Sequence, residues 1–103
     1  LYVVRRDVAT NRVVLGPREL LMATGLLAER PVWLAGAAPR SRFRCTVKIR
    51  STAPDVGCEV VCLGDRLTAT FDEPQFGVAP GQMAVFYQGD EALGGAWITE
   101  GTR

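Results

Sequence analysis

The chain has 103 residues, with 12 lysines and arginines against 11 aspartates and glutamates, which bounds it to one domain, or one domain with part of another. The net charge of +1 names no partner by itself, so the placement of charge matters more than its sum. There is no histidine, which removes the Ser–His and Cys–His pairings of nucleophilic catalysis. No apolar run approaches membrane-spanning length, and no charged stretch followed by an apolar one opens the chain, so neither a span nor a signal peptide is predicted.

The first residue is Leu1, with no initiator methionine, and strand-like residues Tyr2-Val3-Val4 follow at once. We read this as a piece of a longer protein. Tyr2 to Val8 and Arg12 to Leu15 are β-branched stretches separated by Ala9-Thr10-Asn11, a hairpin pattern stopped by Gly16-Pro17. Arg18 to Leu27 is ambiguous. Glu19-Leu20-Leu21-Met22-Ala23 favours a short helix, while Gly25 and Leu26-Leu27 are equally compatible with a strand. Trp33 is expected to anchor this first unit. Ala35 to Arg40 is small and unpatterned, and we place a domain boundary there.

Beyond it, strands are predicted at Phe43–Ser51, Glu59–Leu63, Leu67–Phe71, Met83–Tyr87 and Ala92–Thr99. They are punctuated by Ala53-Pro54-Asp55, Gly64-Asp65, Ala79-Pro80-Gly81 and Gln88-Gly89-Asp90. The expected fold is mainly β: a small antiparallel β-barrel over residues 39–103, preceded by part of a small β-rich adaptor domain over residues 1–38.

Chemistry is hard to assemble from these residues. Cys45, Cys58 and Cys62 lack metal-ligand spacing, and zinc would need a fourth ligand from a carboxylate or another chain, so we expect reduced thiols and no metal. The acidic pairs Asp72-Glu73 and Asp90-Glu91 are neighbours whose side chains point to opposite faces in extended chain. Gly94-Gly95 lies within a strand pattern with no helix after it, which suits a bulge or close backbone contact and not a phosphate loop.

Arg40 to Arg50 is the informative stretch. Phe43, Cys45, Val47 and Ile49 alternate with Arg42, Arg44, Thr46, Lys48 and Arg50, placing four cations on the outer side of one strand about 6.6–7 Å apart. Such a row suits a phosphate backbone. Taken alone, it is better explained as a charged edge that blocks sheet-to-sheet aggregation. The acids gather elsewhere, at Asp72, Glu73, Asp90, Glu91 and Glu100, and that polarity modestly raises the case for nucleic acid. Among Phe71, Phe76, Phe86, Tyr87 and Trp97, most fall on core positions, and Tyr87 is the best surface aromatic.

The order of short motifs carries a resemblance. Phe71-Asp72-Glu73-Pro74-Gln75, Val78-Ala79-Pro80-Gly81-Gln82, Ala84-Val85-Phe86-Tyr87, Gly89-Asp90 and Leu93-Gly94-Gly95-Ala96-Trp97-Ile98 closely resemble the C-terminal signature of the tRNA-specific 2-thiouridylases. Arg42 to Arg50 is similar to the start of that family's last domain. Leu1-Tyr2-Val3-Val4 with Asn11 to Leu20 is similar to its central adaptor.

The resemblance implies a cytoplasmic enzyme that adds sulfur to C2 of the wobble uridine of tRNA, using ATP with magnesium and a persulfide from a sulfur-relay donor protein. It places the catalytic cysteines upstream of this chain, so the piece itself is expected to be noncatalytic, to bind no cofactor, and to hold the tRNA anticodon arm, with no DNA or membrane partner. Family positions implicated in tRNA contact map to Arg50, Ser51 and Gln82, to which the strand reading adds Lys48, Arg44 and Arg42. Ser51 stands where the family usually has tyrosine, and Ala96 where it usually has glycine. The alternative is a structural adaptor or oligomer-contact barrel that touches RNA little.

Overall fold

The computed structural model describes residues 2–7, 12–16, 22–49 and 54–103, the first two stretches as backbone only. The N-terminal hairpin is there: β1 (Tyr2–Asp7) pairs antiparallel with β2 (Arg12–Gly16), with an irregularity between Val3 and Arg5. The remaining six strands are β3 (Met22–Trp33), β4 (Arg42–Lys48), β5 (Val56–Leu63), β6 (Arg66–Phe76), β7 (Met83–Gln88) and β8 (Glu91–Thr102). They close into an antiparallel barrel in the order β3-β6-β5-β4-β7-β8, with β8 returning to β3.

Five barrel strands were expected after residue 38, and the sixth is β3. From Met22 onward the ambiguous segment is strand, because both of its edges are hydrogen-bonded, to β6 and to β8. Pairing with β6 at Met22 and Ala23, joined by β8 from Gly25 onward, outweighs their weak helical preference. The boundary placed at residue 38 falls between two barrel strands, and Ala35 to Arg40 is part of the link from β3 to β4. Trp33 packs within the barrel, its ring edge-on to Phe43 at 5.8 Å and tilted over Phe86 at 5.9 Å.

The two prolines that argue against long strands sit where the ladder is already broken. Pro31 lies in the register shift between Glu29 and Val32, and Pro74 in the stretch of β6 that leaves β3 between Thr70 and Gln75. Neither removes a needed ladder donor to β3 or β8. The β5–β6 and β7–β8 hairpins have two-residue turns, Gly64-Asp65 and Gly89-Asp90, with glycine at positive φ in the first central position.

A six-stranded barrel has a narrow interior, and the inward positions alternate bulky and small residues accordingly. Leu26, Leu67, Ile98, Val47, Val60 and Phe86 are fully buried, with Ala23, Ala28, Ala69, Ala84 and Ala96 between them. Ala96 faces Ala84 across β7 and β8, so its methyl group fills core space that glycine would leave open. Cys45 and Cys58 face each other across β4 and β5 with their sulfurs 3.7 Å apart, both buried and unlinked. The contact with Cys45 and burial push the Cys58 thiol well up, and burial alone raises Cys62. No helix among the described residues is long and apolar enough to cross a membrane.

Candidate nucleic-acid interface

Strand β4 carries the alternation that its sequence dictates. Phe43, Cys45, Val47 and Ile49 are buried, while Arg42 and Arg44 are exposed and Lys48 is partly so. The cations are not equivalent. Arg44 donates to the Asp72 carboxylate of β6 at 2.5 Å, reaching across β5. The hydrogen bond and the charge of Asp72 hold its guanidinium even more firmly protonated.

Gly57 makes this reach possible. It lies opposite Thr46 on β5, and a Cβ there would overlap the Asp72 carboxylate and come to 3.6 Å from the Arg44 guanidinium. Both partners are about half exposed, so water screens the pair and its main effect is to fix where Arg44 points.

Asp72 therefore does not belong to a separate acidic face. Asp72 sits on the same outer surface as the cationic row, and Glu59 is the register partner of Arg44. The polarity that raised the case for nucleic acid is weaker than the sequence implied. Arg42 and Lys48 have no acidic partner within ion-pair distance among the described residues. Arg50 and Ser51 lie outside those residues. Replacing Asp72 by asparagine should free Arg44 and, if the row meets phosphates, tighten RNA binding several-fold. The slope of log affinity against log salt should steepen by about one, checked by anisotropy titration at several salt concentrations.

Gln82 is built into its own turn. Its Oε1 accepts from the Ala79 amide at 3.0 Å, and its backbone carbonyl accepts from Ile98 of β8 at 2.7 Å. This orientation leaves the side-chain Nε2 to donate outward.

The surface aromatic the sequence pattern missed is Trp97. Its neighbours Ala96 and Ile98 both face the core, so strict alternation turns the indole outward, and it is 44% exposed beside Met83, its partner on β7. Tyr87 is also on the outer face, but less exposed.

The described residues do not fit a nucleotide phosphate loop. Gly94 lies against the Val32 carbonyl and the Trp33 backbone, and no helix N-terminus follows it. They also gather no group of three or more metal-ligating side chains.

The barrel strands match a known domain in sequence. The pattern of the aminomethyltransferase beta-barrel domain fits residues 23–98, from the second residue of β3 to Ile98 of β8. The chain belongs to that family.

Similarity also extends over nearly the whole chain to larger proteins. The tRNA-specific 2-thiouridylase MnmA of Histophilus somni is 44% identical over 101 residues, covering 94% of this chain and 26% of that protein. The MnmA of Rhodospirillum centenum is 46% identical over 99 residues, covering 95% of this chain and 25% of its own length. That of Microcystis aeruginosa is 39% identical over 103 residues, with 99% and 29% covered. The chain thus spans about a quarter of the length of the curated relatives it matches. The matched region begins inside β3, itself a strand of the barrel.

Proposed function

We propose that this chain is the tRNA-holding barrel of a tRNA 2-thiouridylase. The observation that carries the reading is the 39–46% identity, over nearly all of the chain, to proteins that bear that name. The longer protein would place sulfur on C2 of the wobble uridine, with ATP and magnesium activating the base and a relay protein supplying persulfide sulfur, in the cytoplasm. This chain contributes no step of that chemistry. Its part is to bind the anticodon arm through Arg42 and Lys48 of β4, through Arg50 and Ser51 that follow in the sequence, and through Gln82 at the Pro80-Gly81 turn, with Arg44 held back by Asp72. The hairpin β1–β2 belongs to the adaptor unit in this reading.

The contributions differ in kind. Lys48 offers a point charge, while the Gln82 amide is held by its turn and can donate to a phosphate or a base edge. Charge reversal by Lys48→Glu should weaken binding of a tRNA anticodon stem-loop about tenfold at low salt, and Gln82→Ala by a smaller factor with little change in salt dependence. Anisotropy titrations of the three proteins check both.

A second reading has one observation in its favour. The Arg44–Asp72 pair spends a cation and an acid on each other across the face that should meet RNA. A scaffold barrel that touches RNA little would show stem-loop affinity indifferent to Lys48→Glu and to Gln82→Ala alike.

A further inference from the structure

The outer face of β8 carries a groove of about 470 Å³ lined by Glu29, Arg30, Pro80, Gly81 and the run Trp97 to Thr99. We infer that this groove is a stacking site for an unpaired nucleotide base, which lies on the Trp97 indole while Arg30 takes the adjoining phosphate. The inference deepens the RNA-binding reading and rests on it.

Three features converge on the groove. First, Trp97 is bare: a large aromatic ring is left 44% exposed, and Gly95, the next outward residue of β8, has no side chain to cover it. Second, the ladder between β3 and β8 is interrupted on both sides of the Glu29–Trp97 pair, between Leu27 and Ala28 and again between Glu29 and Val32. Bulges of this kind re-aim side chains and recur beside binding sites.

Third, Arg30 sits in the second interruption at φ 51°, a left-handed conformation that a non-glycine residue adopts only at a cost. It is held there by its amide, which donates to the Asp65 carbonyl of the β5–β6 turn at 2.9 Å. Its guanidinium is largely exposed and only loosely tethered to Glu29, at 3.6 Å. Strain kept at an exposed cation beside an exposed indole is explained by a ligand that uses both.

An exposed arginine on the same groove as the indole favours a nucleotide, with its base and phosphate, over an apolar protein partner. One aromatic face is offered, with the apolar Pro80 and Ile98 beside it, and the charged Glu29 and Arg30 and the hydroxyl residue Thr99 complete the lining. The turn that orients Gln82 forms one wall, through Pro80 and Gly81. Lys48 also points outward, two strands away around the barrel, since it pairs with Val85 and Val85 with Gly95.

The test titrates the chain with an eight-nucleotide oligouridylate and with the anticodon stem-loop, following tryptophan fluorescence and anisotropy. Wild type is compared with Trp97→Phe, Trp97→Leu and Arg30→Gly, with folding checked by circular dichroism. Expected are quenching on oligouridylate binding, affinity largely kept by Trp97→Phe and lowered about tenfold or more by Trp97→Leu. Arg30→Gly should bind more weakly while being the more stable protein, because glycine accepts the positive φ.

Unchanged oligouridylate affinity in Trp97→Leu, with stem-loop binding intact in all proteins, overturns the stacking site and leaves the RNA-binding reading in place. Absence of binding to either RNA by wild type overturns both. Concentration-dependent self-association that Trp97→Leu abolishes, without any RNA effect, makes the groove a contact between copies and also overturns the proposal.

Discussion

Replacing Gly94 by valine should unfold the barrel or lower its stability by about 3 kcal/mol or more, read by urea denaturation. The reason is a close approach of two strands. A Cβ at Gly94 would overlap the Val32 carbonyl oxygen and reach the Trp33 Cα and ring at 3.0 Å. The first of these is main chain, and a strand cannot move out of the way as a side-chain tip can.

β3 and β8 would be forced apart where Trp33 pairs with Gly94, and Trp33 would be lifted from Phe43 and Phe86. The contact also joins the first barrel strand to the last, so losing it opens the ring. Gly95 is the control. An added Cβ there meets the Ala84 carbonyl oxygen at 3.0 Å and then only the flexible Met83 side chain, so Gly95→Ala should cost clearly less. Equal losses at the two glycines would contradict this account of the seam.

Phe86→Ala should destabilise the chain by about 3–5 kcal/mol, with the urea midpoint falling in proportion. Phe86 is the largest fully buried side chain, and the small residues around it cannot close the space it leaves. Ala84 and Ala96 already bring β7 and β8 together, and Val47 on β4 pairs directly with Phe86. A narrow barrel hydrogen-bonded all the way round has little freedom to contract. A loss near 1 kcal/mol would mean that Trp33 swings into the vacated volume, and a shift in tryptophan emission would accompany it.

The parts of the fold legible in the sequence are those governed by neighbours along the chain. Alternation from Phe43 to Ile49 fixed the inner and outer faces of β4, and glycine-led turns at Gly64-Asp65 and Gly89-Asp90 marked two hairpins. What depended on distant partners was not legible. Met22 to Leu27 suits helix and strand equally until β6 pairs with Met22 and Ala23 and β8 joins from Gly25 onward.

The candidate site divides in the same way. The cationic row was visible from period two alone. That Asp72 neutralises Arg44 was not, since it depends on registers across two strand pairs and on Gly57 leaving room between them. Trp97 was within reach of a stricter use of alternation, because Ala96 and Ile98 claim the inward positions on either side.

The central claim is that this barrel holds tRNA by its phosphates and by the turn at Gln82. A titration of the unaltered chain with the tRNA anticodon stem-loop over a series of salt concentrations tests it most directly. Contacts from Arg42, Lys48 and Arg50 should give a linear fall of log affinity against log salt with a slope of roughly −2 to −3. Binding that ignores salt, or no binding even at low salt, would contradict the claim and leave the barrel as a scaffold.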